Sequence, residues 1–511
     1  MKLSRLIKAV NPLAVDHKGI DKGMDPEIKS VHYRAQQVQN GGLFVAIAGH
    51  LADGHDYVDQ ALQRGAVAIV SQKEIAGKTI NIRVADTRQA LADIAACFFN
   101  YPSQRLTVIG ITGTNGKTTT AYLVESILQQ AGYRVGVIGT INYRYAGKIF
   151  ANPVTTPESL DLQRILADMQ QAGVGHVVME ASSHAIDLFR IRNCWLDAAV
   201  FTNLSQDHLD FHGDMESYWA SKKKLFTHYL DDGPKRDRAV AVVNCNSSNG
   251  RQLANILRVP VIKTGSGPDD QIHAQNARFD LSGTTGEIAT PDGAFHFKSK
   301  LVGRHNLENI LCAAGVGSAL KLTTGDMQSG IEAVAAIPGR LEGIENNTGR
   351  FVYVDYAHTP DALQNVINAL RTVMADRIIC VFGCGGDRDS TKRPLMGEIA
   401  AQRCDLAVVT SDNPRTEDPT AIIDQILKGV QRAKSRCYSA ADFRNGFKDK
   451  GYVVEADRQR AIRLAIRVSQ PGDTVLIAGK GHETYQILGT SRIAFDDREE
   501  ARKALRAVRG Q

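Results

Sequence analysis

The chain has 511 residues, of which 43% are hydrophobic and 23% are charged, and Lys and Arg exceed Asp and Glu by 61 to 55. This balance is typical of a folded globular protein and leaves no compositional case for extended disorder. The formal charge of +6 is too dilute over this length to predict nucleic-acid binding. No stretch approaches the about 20 apolar residues of a membrane span, and the first residues do not resemble a signal peptide.

The eight cysteines are scattered along the chain without a Cys-x-x-Cys pair. Several of them lie in apolar runs, which favours reduced thiols in a protein core over disulfides or a zinc site. We therefore expect a cytoplasmic protein with neither a nucleic-acid partner nor a membrane span, and we take a monomer as its expected state.

Short apolar runs alternate with helical runs through the chain, and this alternation predicts parallel sheets covered by helices. In chain order the predicted strands are 43–47, 66–70, 80–84, 106–111, 135–138, 176–179, 198–201, 351–354, 377–382, 406–410 and 474–478. We expect an α/β fold of three domains, residues 1–103, 104–338 and 339–511. The central domain is predicted to be a parallel sheet like that of P-loop ATPases, and the C-terminal domain a Rossmann-like doubly wound sheet.

The segment Gly113-Thr-Asn-Gly-Lys-Thr-Thr119 lies between a predicted strand and a helix predicted over 118–130. Glycines allow close backbone approach to phosphate, and the amides at a helix N-terminus attract anions. Lys117 adds a positive charge, and Thr118 offers a hydroxyl to Mg²⁺. Ile111 stands where the standard motif has its first glycine, so an ordinary Gly-rich turn is the alternative interpretation.

Glu180 and His208 each follow a predicted strand of the central domain. The carboxyl ends of parallel strands form the edge at which ligands bind, so we expect both side chains near the phosphate loop. They could supply a carboxylate and an imidazole to Mg²⁺. Each residue alone is more typical of a capping or surface position.

Three consecutive lysines, Lys222 to Lys224, lie in a predicted helix. The pattern favours a solvated basic face. A partly buried lysine near a metal could instead lose its proton and react with carbon dioxide to form a carbamate that binds the metal. The residues themselves leave both interpretations open.

Four central motifs together resemble the Mur ligases: Gly113 to Thr119, Glu180 to His184, Asp207 to Asp210 and Gly303 to Asn309. The shortened phosphate loop is that family's own form. The motifs 355–360, 385–389, 412–415 and 479–483 look like those of the member that adds the third amino acid to UDP-N-acetylmuramoyl-L-alanyl-D-glutamate. The resemblance covers essentially the whole chain and keeps the family's motif order.

The resemblance implies four groups of site residues. The ATP contacts would be Gly113, Thr114, Asn115, Gly116, Lys117, Thr118, Thr119, Asn306, Asn309, Arg340 and Asp355. The catalytic residues would be Lys117, Glu180, His208 and Lys222, with Thr118, Glu180, His208 and carbamylated Lys222 holding two Mg²⁺ ions. The UDP-peptide contacts would be His50, Leu51, Ala52, Thr155, Thr156, Ser182 and Arg190, with the N-terminal domain binding the UDP-sugar. The diaminopimelate contacts would be Arg388, Asp412, Asn413, Pro414, Arg415, Gly479 and Glu483.

Two positions depart from the family's pattern. The family usually has Asp-Ser-Arg where this chain has Arg34-Ala35-Gln36, and a Gln where this chain has Leu188. Both departures concern the contacts with the nucleotide-sugar and leave the expected reaction unchanged.

The implied reaction is activation of the D-glutamate γ-carboxylate by ATP to an acyl phosphate, followed by attack of the amine of meso-diaminopimelate. Arg415 suits the far carboxylate of that amino acid, because a guanidinium can bind a carboxylate with two parallel hydrogen bonds. Because the two sites fall in different domains, we expect domain closure before chemistry. The alternatives are a lysine-adding enzyme, a folylpolyglutamate synthetase, and a phosphate-loop switch or non-catalytic scaffold.

Overall fold

Each of three large sheets is built from one continuous part of the chain. The computed structural model describes residues 1–18, 23–49, 52–76, 79–267, 269–280, 283–373, 376–433, 435–443 and 446–509. We propose 1–103, 104–338 and 339–511 as the domains, because the strands of each sheet fall within one of these ranges. No described helix is long and apolar enough to cross a membrane.

The N-terminal domain is a small mixed sheet with three α-helices among its described residues. Its elements are α1 (Leu3–Ala9), β1 (Ala14–Lys18), β2 (Ser30–His32), β3 (Gly42–Val45), α2 (Val58–Gln63), β4 (Ala66–Ser71), β5 (Thr79–Arg83) and α3 (Thr87–Phe98). The strand order is β1-β5-β4-β3-β2, and only β1 is antiparallel to its neighbour. Our sequence analysis predicted β3, β4 and β5 and missed β1 and β2.

The central domain carries the largest sheet. Its elements are β6 (Thr107–Thr112), α4 (Lys117–Gln130), β7 (Val135–Ile138), β8 (Asn142–Tyr145), β9 (Lys148–Ala151), α5 (Ser159–Gln171), β10 (His176–Glu180), α6 (Ser183–Asp187), β11 (Ala198–Phe201), α7 (Leu209–His212), α8 (Met215–Lys224), β12 (Val240–Asn244), α9 (Ser248–Ile256), β13 (Val261–Gly265), β14 (Ile272–Asp280), β15 (Gly283–Thr290), β16 (Gly293–Ser299), α10 (Arg304–Ala319) and α11 (Thr324–Ala333). A π-helical segment, Leu225–Leu230, follows α8 directly.

The central sheet is parallel only in its middle. The strand order is β16-β15-β14-β13-β12-β11-β6-β10-β7-β8-β9. The strands from β14 to β7 are parallel to their neighbours, while β15, β16, β8 and β9 add antiparallel edges. The middle of the central sheet is therefore parallel as expected, and the antiparallel strands at its two edges were not predicted. The predicted parallel strands have continuous apolar runs, whereas the hairpin strands at the edges are partly exposed and carry no such run.

The C-terminal domain has a doubly wound sheet and a small separate hairpin. Its elements are β17 (Glu342–Gly343), β18 (Phe351–Asp355), α12 (Pro360–Val373), β19 (Ile378–Phe382), α13 (Lys392–Arg403), β20 (Leu406–Val409), α14 (Pro419–Arg432), β21 (Arg436–Cys437), β22 (Gly451–Val454), α15 (Arg458–Val468), β23 (Thr474–Ala478), β24 (Tyr485–Leu488), β25 (Ser491–Ala494) and α16 (Asp497–Arg509). The sheet order is β17-β18-β23-β19-β20-β22-β21, with only β17 antiparallel. Strands β24 and β25 pair with each other in an antiparallel hairpin that forms a separate two-stranded sheet.

Helices cover both faces of the central sheet. On one face α4 and α10 pack against the parallel strands, and on the other face α5, α6 and α8 do so. The strands between these layers are buried on both sides, so Val177 and Val178 are both fully buried although they point in opposite directions. Seven cysteines are free and buried, as predicted, whereas Cys437 is exposed on β21.

The carboxyl ends of the parallel strands define where a ligand site can form. In the central sheet, β6 lies between β10 and β11, although the chain reaches β10 and β11 only after passing through β7. This reversal of strand order opens a crevice at the end of β6, where the phosphate loop begins. In the C-terminal sheet the segments after β18, β19, β20 and β23 meet at one edge in the same way.

Candidate active site

The phosphate loop is a tight turn whose two glycines have no room for a side chain. Gly113 has φ 149°, and a Cβ added there would lie 1.9 Å from the hydroxyl oxygen of Thr202. Gly116 has φ 84°, and its Cβ would lie 2.2 Å from the amide oxygen of Asn309. Helix α4 begins at Lys117, one residue earlier than predicted. The backbone amides at this helix start are therefore available to an anion.

Glu180 lies beside the first turn of α4 as expected from its strand. Its Oε2 accepts hydrogen bonds from the hydroxyls of Thr118 at 3.0 Å and Thr140 at 2.8 Å. Its Oε1 accepts one from the backbone N–H of Thr140 at 2.9 Å. The carboxylate is almost fully buried, and these three bonds satisfy its oxygen atoms. Thr140 was missed by the sequence analysis because nothing in its local pattern marks it.

Lys117 folds back onto the loop from which it projects. Its ammonium donates to the carbonyl oxygens of Gly113 at 2.7 Å and Thr114 at 2.9 Å. Burial lowers the pKa of this ammonium, while the charges of Glu180 and Asp207 act in the opposite direction. The position suits a cation that moves onto a phosphate group of a nucleotide in the loop.

Lys222 is buried, and the prediction of a solvated basic face is wrong for it. Only 1% of the residue is exposed, and its ammonium donates to the carbonyl of Gly113 at 2.9 Å. The ammonium also lies 4.3 Å from the ring centroid of Tyr218. Burial and the nearby charge of Lys117 lower the pKa of Lys222 well below its ordinary value. Lys224, two residues later, is exposed and forms an ion pair with Asp187, so the helix turns only one lysine inward.

His208 and Asp207 lie at the opposite rim of the crevice. His208 has φ 56°, a left-handed conformation that is uncommon outside glycine, and burial lowers its pKa to about 3. Burial raises the pKa of Asp207, but His208, His358 and Lys392 together hold it below its usual range. His358 and Lys392 belong to the C-terminal domain, and each has a nitrogen 3.9 Å from a carboxylate oxygen of Asp207. The two domains thus meet at this carboxylate.

The remaining predicted ATP residues, Asn306, Asn309, Arg340 and Asp355, all follow Lys222 in the chain. Asn309 donates from its amide to the amide oxygen of Asn306 at 3.3 Å. Arg340 donates to the hydroxyl of Thr118 at 3.1 Å and stacks on Tyr356, with its guanidinium carbon 4.7 Å from the ring centroid. Asp355 accepts from the backbone N–H groups of Leu341 and Ala357, and burial raises its pKa.

These groups surround one cavity of about 430 Å³ between the central and C-terminal domains. Its walls include every residue predicted to contact ATP except Gly113, together with Glu180, His208 and Lys222. Thr155 and Ser182, two of the predicted peptide contacts, also line it. The volume falls in the range of small-molecule sites, and its position between domains is typical of them.

The other predicted peptide contacts lie beside this cavity. Thr156 donates its hydroxyl to the carbonyl of Glu180 at 2.7 Å, and Arg190 donates to the carbonyl of Thr156 at 3.2 Å. Ala52 lies at the start of the segment that leads into α2, whereas His50 and Leu51 lie outside the described residues. Of the two departures from the family pattern, 34–36 lies at a short 3₁₀ helix and Leu188 ends α6.

The predicted diaminopimelate residues do not line the cavity and form a second cluster in the C-terminal domain. Arg415 has φ 53° and donates to the carbonyl of Gly386 at 2.7 Å, while Asn413 donates to Oε2 of Glu483 at 2.8 Å. Gly479 has φ 117°, and a Cβ there would lie 2.4 Å from Oδ2 of Asp412. Arg388 is exposed, and Pro414 lies in the same turn as its neighbours. The turns after β19, β20 and β23 bring this cluster together.

The residues near the phosphate loop fit Mg²⁺ bound together with phosphate. Among the described residues, no three His, Cys, Asp or Glu side chains form a group that could hold a metal. Thr118 and Glu180 present oxygen atoms side by side, and Mg²⁺ is commonly bound by one or two carboxylates plus substrate phosphates. Lys222 as an ammonium has no lone pair and cannot be a metal ligand.

The fold and the site define a class: a phosphate-loop enzyme whose nucleotide cavity lies between two α/β domains. Comparison with known proteins identifies the family within this class. The Mur ligase middle domain matches residues 111–317, the glutamate ligase domain of the Mur ligases matches 339–481, and the Mur ligase family catalytic domain matches 27–99. The chain belongs to the Mur ligase family.

Individual relatives cover 94% to 99% of the chain. The UDP-N-acetylmuramoyl-L-alanyl-D-glutamate–2,6-diaminopimelate ligase of Geobacter metallireducens is 46% identical over 510 residues, which are 99% of each chain. A solved structure of a ligase with the same name is 30% identical and covers 94% of each chain with a TM-score of 0.63. The MurF ligase of Thermotoga maritima in complex with ADP is 21% identical and covers 94% of this chain and 98% of its own, with a TM-score of 0.65.

Proposed function

We propose that this protein is the ATP-dependent ligase that joins meso-diaminopimelate to the D-glutamate γ-carboxylate of UDP-N-acetylmuramoyl-L-alanyl-D-glutamate, in cytoplasmic synthesis of a peptidoglycan precursor. The observation that carries the proposal is the arrangement of one cavity between two domains. It is lined by the phosphate loop, Glu180 and Lys222 on one side and Arg340 and Asp355 on the other. The 46% identity to a ligase of this name supports the choice of substrates.

The chain's own groups suit the formation of an acyl phosphate. The loop amides and Lys117 would bind the β- and γ-phosphates, and Arg340, which reaches Thr118 from the C-terminal domain, would add a second cation. When bound, Mg²⁺ offsets negative charge on the phosphoryl group. Thr118 and Glu180 would hold one ion, and His208 with carbamylated Lys222 a second.

We propose that Lys222 is carbamylated by carbon dioxide. Support comes from its 1% exposure and from its pKa, which burial and Lys117 lower well below the ordinary value. Only a neutral amine reacts with carbon dioxide, and burial favours that form. We expect Lys222→Ala to lower kcat about 100-fold, which is the loss of a charge-stabilising group in a closed site. The matched control is Lys223→Ala on the same helix, and equal activity of the two variants would contradict the carbamate.

The amino-acid site is proposed at the cluster of Arg388, Asp412, Asn413, Arg415 and Glu483 in the C-terminal domain. A guanidinium at Arg415 suits the far carboxylate of diaminopimelate, and the carboxylate of Glu483 suits the far ammonium. The N-terminal domain, with Ala52, and the segments of Thr155, Thr156, Ser182 and Arg190 are proposed to bind the UDP-linked peptide. Because the cluster lies outside the nucleotide cavity, the acyl phosphate and the amine must be brought together by domain closure.

The deciding experiment measures phosphate release from ATP with the UDP-linked dipeptide and either meso-diaminopimelate or L-lysine, with the product identified by mass. We expect product with meso-diaminopimelate and at least 100-fold less with L-lysine. Equal rates would contradict the amino-acid specificity. Phosphate release without any amino acid would favour a phosphate-loop switch, and no product with either amino acid would favour a scaffold.

A folylpolyglutamate synthetase is the second ligase to consider. The match of the Mur ligase catalytic domain to residues 27–99 and the 99% coverage of the diaminopimelate ligase speak against it. Glutamate addition to a folate in the same assay would reverse that preference.

A further inference from the structure

Beside Glu483 lies a charged residue that the proposed reaction does not use. Lys480 follows β23 by two residues, and none of its surface is exposed. Its ammonium donates to Oε2 of Glu483 at 2.7 Å and to the amide oxygen of Asn413 at 3.0 Å. It also lies 5.5 Å from the ring centroid of Tyr485. A fully buried lysine is rare unless it is paired, and here Glu483 and Asn413 are its partners.

Lys480 determines the orientation of the Asn413 amide. The oxygen of that amide accepts from the Lys480 ammonium and from the backbone N–H of Ile487 at 3.0 Å, while its nitrogen donates to Glu483 at 2.8 Å. A reversed amide would direct its NH₂ at two donors and its oxygen at a carboxylate. Since an ammonium has only donors and a carboxylate only acceptors, one orientation is satisfied and the other is not.

Lys480 also fixes which oxygen of Glu483 is free. The ammonium of Lys480 and the amide nitrogen of Asn413 both bind Oε2. Among the described residues, no hydrogen bond reaches Oε1. The carboxylate is therefore held at one oxygen and open at the other, which is the preorganised arrangement that an incoming ammonium needs.

We infer that Lys480 is a positioning residue for the amino-acid substrate, acting through Glu483 and Asn413 to hold an acceptor for the far ammonium of a diamino dicarboxylic acid. The inference rests on the proposed function, because it takes that class of amino acid as the ligand of the cluster. Lys480 touches no reacting atom. Its loss is expected to weaken amino-acid binding and to leave ATP and UDP-peptide binding intact.

The test compares Lys480→Met, which keeps length and burial but removes the charge, with the unmodified enzyme. We expect the KM for meso-diaminopimelate to rise about 30-fold, the effect of losing a hydrogen bond to a charged group. The KM values for ATP and for the UDP-linked dipeptide should stay within about two-fold, because sites that share no contacts respond independently to a substitution. Arg492→Met is the matched control, because this exposed arginine lies over the same Tyr485 ring but does not contact Asn413 or Glu483.

A substrate analogue separates positioning from a general structural role. 2-Aminopimelate has both carboxylates of diaminopimelate but lacks the far ammonium. The Lys480→Met variant should lose most of the preference for meso-diaminopimelate over 2-aminopimelate that the unmodified enzyme shows. Lys480→Arg, which keeps the charge, should restore at least part of that preference.

Three results would overturn the inference: an unchanged KM for meso-diaminopimelate in Lys480→Met, a parallel rise of all three KM values, or failure of both variants to fold. Failure of the proposed function is a separate outcome, because it appears as no peptide product from the unmodified enzyme. The comparison of variants is made on an enzyme that has passed that test.

Discussion

At the phosphate side of the site, Lys117 and Thr118 begin helix α4, which follows β6, and Glu180 ends the adjacent strand β10. At the proposed amino-acid side, Asn413, Arg415 and Glu483 come from turns after two strands of the C-terminal sheet, and the hairpin of β24 and β25 holds Asn413 through Ile487. The phosphate side binds chemical features shared by every nucleotide, so a compact local motif is sufficient for it. The proposed amino-acid side would have to distinguish one side chain from others, and such selection requires several groups held at fixed separations.

The two sides of the site are also stabilised in different ways. The phosphate loop is held by steric contact, because its glycines leave no room for a side chain. The amino-acid side is held by buried charge. Arg458 and Asp497 are both fully enclosed and form two hydrogen bonds of 2.8 and 2.7 Å, and Arg458 also donates to the carbonyl of Ala478, next to Gly479.

The largest expected effect is on the phosphate side. Lys117→Ala should lower kcat about 1000-fold, because the transferring phosphoryl group loses a preorganised cation in a buried site. The measurement is phosphate release at saturating substrates. Lys224→Ala is the control, since that exposed lysine pairs with Asp187 away from the cavity. A loss below ten-fold would show that Arg340 and the loop amides suffice.

The next effect concerns stability on the amino-acid side. Asp497→Asn leaves the buried guanidinium of Arg458 without its anionic partner, and this should lower the free energy of unfolding by about 3 kcal/mol. Denaturant unfolding of the intact chain checks it. Asp449→Asn is the control, because Asp449 is exposed and forms a surface ion pair with Arg436. Equal effects of both changes would mean that the buried pair adds no stability.

A smaller effect is expected on amino-acid binding. Arg415→Met should raise the KM for meso-diaminopimelate about 50-fold with less change in kcat, because a charged bidentate contact with the far carboxylate is lost. Steady-state kinetics with each substrate varied in turn measures the change. Arg436→Met, at the surface, serves as the control. An equal fall in kcat at saturating amino acid would instead assign Arg415 to the chemical step.

The smallest effect is a pH dependence of stability. Burial and the charge of Arg340 lower the pKa of His482 in the folded protein to about 3, from the ordinary 6.5. The unfolded chain therefore binds a proton first, so stability should fall as pH decreases from about 6.5, by at most about 1.4 kcal/mol per pH unit for one proton. His482→Asn should flatten the decrease in unfolding midpoint between pH 7 and 5, whereas the exposed control His296→Asn should not. Identical curves for both would contradict this assignment.

Much of the fold was predictable because most strands of the parallel sheets are marked by clear apolar runs in the sequence. The eleven predicted strands correspond to observed strands, since each is an apolar run that is buried in a parallel sheet. One missed strand, β12, is a buried apolar run in the parallel part of the central sheet. Other missed strands, such as β1, β8 and β25, are short or partly exposed, and their residues carry no clear alternation. Their pairing depends on the neighbouring strand more than on their own sequence.

The sequence by itself determined the phosphate loop, the order of the three sheets and the family resemblance, because these depend on local patterns of glycine, apolar runs and motif order. Only the tertiary structure decided which lysines are buried. Lys222 and Lys480 have no local pattern that distinguishes them from solvated lysines, yet both are enclosed by groups distant in the chain. Burial of a charge is stabilised only when partners from several elements meet around it, so it is a property of the assembled fold.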